Sequence, residues 1–156
     1  MTKTKNKIRL IGRREFVDFP ELKVFNIEAK IDTGAYTSSI HCSDISVKTI
    51  NNNPVLCFKL FDNLHPEFAE YTHEFNDFSK KKIKNSFGEM EERYIIKTRI
   101  KLGHKIIHTT ISLSDRENMR YPVLIGRRLL KRKFLIDVNK LHTGGQKIDK
   151  TLNDYI

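Results

Sequence analysis

Hydrophobic and polar residues alternate with a period of two along much of this chain, and runs with a helical period are scarce. Short β-branched and aromatic segments broken by Gly, Asn, Asp and Pro predict strands over 7–11, 14–18, 25–32, 39–50 with an interruption near Asp44, and 54–60. Further strands are expected over 92–102, 104–113, 123–125 and 134–138. Asn51-Asn52-Asn53-Pro54 marks a turn, and Leu102-Gly103-His104 the tip of a hairpin between two alternating runs. One short helix is expected, over 127–132 behind Gly126. Between 61 and 87 polar, charged and aromatic residues follow no period, which predicts a long excursion, and 141–156 reads as a loosely packed tail. The pattern is that of an all-β protein, and 156 residues suffice for a single domain with its core at about 7–140.

Composition narrows the class. Hydrophobic residues make up 38% and charged residues 31%, and no apolar run approaches the roughly 18 residues of a membrane span, so no membrane partner is expected. The basic start, Met1 to Lys7, runs into an alternating segment instead of the apolar stretch of a secretory signal, which predicts a cytoplasmic protein. Cys42 and Cys57 then read as free thiols without metal spacing. The formal charge of +10 is the stronger message, because a basic field attracts phosphate backbones or acidic peptides. It does not choose between them, and its clusters at 80–84 and 127–133 read equally as solvated faces.

Candidate chemistry centres on Ala29-Lys30-Ile31-Asp32-Thr33-Gly34-Ala35-Tyr36-Thr37-Ser38-Ser39-Ile40. Asp32 could act as general base to a water if its carboxylate is held in orientation, and Gly34 would let backbone N–H groups approach it. Thr33 could lock the loop through its hydroxyl. A lone Asp-Thr-Gly is also an ordinary strand-ending turn. Its context is more specific: strand-like runs flank it, and Pro122-Val123-Leu124-Ile125-Gly126-Arg127 follows about ninety residues later. That order resembles that of aspartic peptidases, in which an apolar pair followed by Gly forms the strand beside the catalytic loop; the resemblance implies close backbone contact at Gly126 before a short helix. No second Asp-Thr/Ser-Gly occurs, so a second carboxylate would have to come from another chain, which predicts a homodimer. A zinc site is not expected, since His-Glu-x-x-His is absent and His41, His65, His73, His104 and His108 are scattered. No glycine-rich phosphate loop of the Gly-x-x-x-x-Gly-Lys type is present, and no cofactor is expected.

The chain resembles a family of small retropepsin-like aspartic peptidases once labelled ATP-dependent zinc proteases, often encoded near or fused to a ligase that adds glutamates to a ribosomal protein. The matching segments are Ile11 to Glu15, Ala29 to His41, Asn85 to Gly88, Glu92 to Thr98, Leu113 to Met119, and Pro122 to Arg127 with Asp137 beyond. Tyr36 departs from the basic residue usual at that position. The resemblance implies a closed barrel of the acid-protease type in which Asp32 of each chain shares one proton and one water. Thr33 would bond across the interface, and Ala35, unable to donate a side-chain hydrogen bond to the dyad, implies a working pH nearer neutrality than in gastric-type enzymes. Ile125, Gly126 and Arg127 would support the site. A flap over 84–93, with Ser86, Phe87, Gly88 and Arg93, would contact substrate. The implied substrate is an acidic, glutamate-rich peptide or protein tail, such as that of a glutamylated ribosomal protein. Two alternatives belong to other classes: a non-catalytic basic β-module that binds RNA or ribosomes, and a zinc-dependent peptidase. Asp137 would be a structural partner for a buried Arg.

Overall fold

A computed structural model of the protein describes residues 7–61, 70–84, 87–115 and 120–151. Its strands are β1 (Lys7–Ile11), β2 (Arg14–Phe19), β3 (Val24–Ile31), β4 (Ser38–Ile50), β5 (Asn53–Leu60), β6 (His73–Phe75), β7 (Phe78–Lys84), β8 (Met90–Leu102), β9 (Lys105–Ser114), β10 (Val123–Ile125), β11 (Phe134–Ile136) and β12 (Gln146–Thr151). A 3-10 turn at Pro20–Leu22 and one α-helix, α1 (Arg127–Leu130), complete the described elements. Among the described residues no helix is long and apolar enough to cross a membrane.

The main sheet closes on itself. Its strands run β10-β3-β2-β8-β9-β4, and β10 pairs with β4 as well as β3, so the ring has no free edge at that seam. The closed ring agrees with the barrel that the resemblance implies, nearly all β, with the short helix directly after the Ile-Gly strand. Alternation fills its interior: Ile27, Ala29 and Ile31 of β3 and Ile96, Ile100 and Leu102 of β8 are buried. Phe19, Ile40, Phe58, Ile111, Leu113, Val123 and Ile125 belong to the same core.

Turn chemistry fixes the register where the sequence predicts it. Gly103 has φ +62°, and Leu102 pairs with Lys105 across it. Asn51 and Asn52 both adopt positive φ between the paired Ile50 and Asn53. The interruption at Asp44 is a bulge, with φ 51° and a register shift between Ser43 and Ser46. Beyond it β4 and β5 leave the ring as a two-stranded ribbon to whose edge β6 adds.

Two segments differ from expectation. The predicted excursion over 61–87 contains β6 and β7, and β7 pairs with β8 from Phe78↔Ile96 to Lys84↔Met90. The lysine run hides this strand from a pattern search, because both its faces are largely exposed and nothing imposes a period of two. The part of that excursion at 62–69 lies outside the described residues. The predicted loose tail over 141–156 contains β12, which joins β1 and β11 in a second, three-stranded sheet. The chain leading into it is held by Glu15, which is 1% exposed. Its carboxylate accepts hydrogen bonds from Gly12 N–H (2.7 Å), Thr143 N–H (3.0 Å), Thr143 Oγ1 (2.9 Å) and Gly144 N–H (3.0 Å).

Candidate active site

The Asp32 loop is built from behind by β10. This strand lies between β3 and β4, the strands that enter and leave the loop, pairing parallel to β3 (Val123↔Ala29, Ile125↔Ile31) and antiparallel to β4 (Val123↔Ile40). Asp32 N–H donates to Ile125 O at 2.8 Å, Arg127 N–H to Ala35 O at 2.8 Å, and Arg128 N–H to Tyr36 O at 3.0 Å. Gly126 N–H donates to the buried Ser38 Oγ at 3.0 Å. A Cβ on Gly126 would lie 2.7 Å from Tyr36 O and 2.9 Å from Ala35 O, so this contact requires glycine for space. Its φ of −95° is one any residue adopts.

Within the loop, Gly34 N–H donates to Asp32 Oδ1 at 3.0 Å and Ala35 N–H to Asp32 O at 3.3 Å. The carboxylate is therefore oriented by backbone, and a Cβ on Gly34 would press on the same oxygen at 3.2 Å. Thr33 is exposed at the crown of the loop, and its carbonyl accepts from Arg127 Nη1 at 2.8 Å. The Arg127 guanidinium also lies over the Tyr36 ring, 5.8 Å from its centroid.

Half-buried Asp32 opens into a cleft of about 370 Å³ that Gly34, Ala35, Tyr36 and Leu124 share with Ile83, Lys84 and Arg93 of the β7–β8 hairpin and Ser112 of β9. The hairpin expected as a flap thus brings its strands to the Asp32 loop. Arg93 is only 10% exposed, and its guanidinium is held by Glu91, with Nε donating to Oε1 at 2.6 Å. Phe87 and Gly88 stand away from the cleft lining at the exposed hairpin tip, where Gly88 has φ +80°. Ser86, and residues 116–119 of the segment before β10, lie outside the described residues. Ile125 and Gly126 are buried behind the loop, and Arg127 is exposed beside it.

Other candidates find structural places. His41 is buried with Nδ1 3.0 Å from Ser114 O, on the strand leaving the loop. Cys42 and Cys57 are buried free thiols, and burial, with the Asp115 charge adding to it, pushes the Cys42 thiol well up. Asp137 accepts from Asn139 N–H at 2.9 Å and so closes a turn; this takes the place of the expected pairing with a buried Arg. Among the described residues no three His, Cys, Asp or Glu side chains gather in a group that could hold a metal ion. Sequence reasoning missed Ser38 and Ser112, buried polar residues at the loop and cleft, because neither differs in pattern from an ordinary strand serine.

A probable alpha-L-glutamate ligase of Shewanella halifaxensis is 34% identical over 140 residues, which cover 90% of this chain and 31% of that protein. One from Desulfotalea psychrophila is 32% identical over 129 residues, covering 83% of this chain and 28% of its own length. The chain therefore spans about a third of these curated relatives. A crystal structure of a Legionella pneumophila protein of unknown function superposes with a TM-score of 0.69 at 25% identity, covering 87% of this chain and 98% of that one. The model of the RimB-like family matches residues 10–146, and the chain belongs to that family of retropepsin-like aspartic endopeptidases.

Proposed function

We propose that the protein is an aspartic endopeptidase that cleaves acidic, glutamate-rich protein tails with a pair of Asp32 carboxylates, one from each subunit of a homodimer. The observation that carries this reading is the Asp32 carboxylate itself, held by Gly34 N–H at 3.0 Å and opening into a cleft shared with the β7–β8 hairpin. Amide hydrolysis needs a base for the water and an acid for the carbonyl oxygen, and two carboxylates about 3 Å apart retain one proton between them. The charged Asp32 takes a proton from water as the oxygen attacks the carbonyl carbon, and the neutral one protonates the carbonyl oxygen. Collapse of the tetrahedral diol breaks the C–N bond: the carboxylate protonated in the first step passes its proton to the leaving nitrogen, and the other carboxylate takes a proton back from a diol hydroxyl, which becomes the product carbonyl and restores the shared proton. The exposed Thr33 and Tyr36 at the crown of the loop leave it accessible to a second copy.

An acidic substrate suits the charges at the cleft, where Lys84 and Arg93 line the wall and Arg127 flanks the loop. The name of the curated relatives, glutamate ligase, points to the same substrate chemistry. Asp32→Asn is expected to abolish cleavage of a glutamate-tailed protein, read as product mass, while sedimentation still shows a dimer. Undiminished cleavage by that variant would sink the proposal. The rival reading, a basic module for RNA, draws on the +10 charge and predicts RNA binding indifferent to Asp32→Asn and steeply dependent on salt.

A further inference from the structure

A second cleft of about 470 Å³, separate from Asp32, is lined by Lys97, Arg128 and Lys133 together with Thr98, Thr109 and Thr110. Its chemistry is that of an anion site. Arg128 Nη1 is fixed by the Thr110 hydroxyl at 3.0 Å. One carboxylate, Glu21, also lines it, but that group is committed to Arg99 Nε at 2.6 Å and to the Thr98 hydroxyl at 3.0 Å. The positive charge is therefore not cancelled from within. Lys97 reaches an acid only at 3.9 Å, the exposed Asp77.

Position relates the two clefts. Thr110 of the cationic cleft and Ser112 of the Asp32 cleft are two residues apart on β9, on the same face of the strand and about 7 Å from each other. On β8 their partners are Lys97 and Ile95. Helix α1 repeats the relation, since Arg127 bonds the Asp32 loop and Arg128, the next residue, bonds Thr110. The geometry points to an exosite: we propose that an acidic chain lying in the Asp32 cleft continues along the β8–β9 ribbon and places further carboxylates on Arg128, Lys97 and Lys133. This rests on the peptidase reading for its substrate, and it adds that the enzyme measures the length of an acidic tail away from the scissile bond.

The test separates the two. Binding is measured by fluorescence anisotropy on the full-length Asp32→Asn protein, with fluorescein-labelled peptides of about four and about sixteen glutamates, the longer spanning about 50 Å when extended. The long peptide is expected to bind more tightly than the short one, and Lys97→Gln with Lys133→Gln should reduce that advantage about three- to tenfold. Charge reversal, Lys97→Glu, should reduce it further, and unchanged circular dichroism melting excludes misfolding as the cause. Equal affinity for both peptides, or an advantage untouched by these substitutions, overturns the exosite. So does a structured RNA hairpin that depends on the same lysines while the glutamate peptides do not bind. Failure of the unsubstituted protein to cleave either peptide overturns the peptidase reading instead, and leaves the binding result standing.

Discussion

Gly126→Ala tests whether the threaded strand holds the Asp32 loop in place. The added Cβ would sit 2.7 Å from Tyr36 O, 2.9 Å from Ala35 O and 2.9 Å from the Thr37 carbonyl carbon, all backbone and all closer than the 3.0 Å that real Cβ atoms respect. Because Gly126 has φ −95° and ψ 175°, alanine suffers no conformational penalty there, and crowding is the main term. Overpacking of this kind costs about 1–3 kcal/mol. Pushing the loop away also strains the bonds from Arg127 N–H and Arg128 N–H to Ala35 and Tyr36. Each is worth about 0.5–1.5 kcal/mol, so a total of about 2–6 kcal/mol is expected. For a chain of this size that lowers Tm by about 4–24 °C. Urea titration and calorimetry read the loss, and peptide turnover should fall further than stability because the displaced backbone carries Asp32. Gly144→Ala is the control: its site is open space but its φ is +70°, so it should cost about 1 kcal/mol and spare the loop. A Gly126→Ala protein that melts and turns over like the parent would refute the argument.

Substitutions at three further positions probe other parts of the molecule. Glu15→Ala should cost more than about 3 kcal/mol in urea unfolding, because it leaves the Gly12, Thr143 and Gly144 donors without their buried carboxylate. Glu15→Gln, with one acceptor oxygen, should recover only part. Burial would raise the Glu21 carboxyl, but hydrogen bonds from Arg99 and Thr98 hold it below its ordinary value of 4.5. Its stabilisation is thus present above pH 4.5 and lost as pH falls through the lowered folded value, and Glu21→Gln should flatten that limb of Tm against pH. Both Glu21 and Arg99 are partly exposed, so the effect should stay under about 1 kcal/mol. Ala35→Ser introduces a donor beside the proposed Asp32 dyad that would favour its charged form, and should move the acid limb of kcat/KM to lower pH. An acid limb that stays in place would remove the role given to Ala35.

Much of the ring was legible because its strands bury one face. β3 and the second half of β8 show the alternation that a one-sided environment imposes, and the Gly103 and Asn51-Asn52 turns follow from positive φ. The helix after Gly126 was also expected, though it ends at Leu130 instead of running to 132. β7 and β12 were not legible: one is a lysine-rich strand exposed on both sides, the other a short polar edge. Asp32 and Gly126 stood out through residue type and flanking pattern. Their meeting is a long-range fact, and the order of motifs suggested it where periodicity alone did not. Glu15 lies in a segment that matches the family, but nothing in the sequence signalled its role, since a carboxylate satisfied by Gly12 and the distant Thr143 and Gly144 N–H groups looks like any surface acid.

The threading of β10 between β3 and β4 also sets an order of events during synthesis. The groups that brace the loop from behind, Ile125 O and the N–H groups of Gly126, Arg127 and Arg128, arrive about ninety residues after Asp32. Contacts so distant in sequence form late, because closing the intervening chain costs entropy before any bond repays it. A nascent chain can present Asp32 long before it can orient it. The geometry proposed above for catalysis is thereby withheld from a half-made protein, and becomes available only once the strand that closes the ring has also been translated.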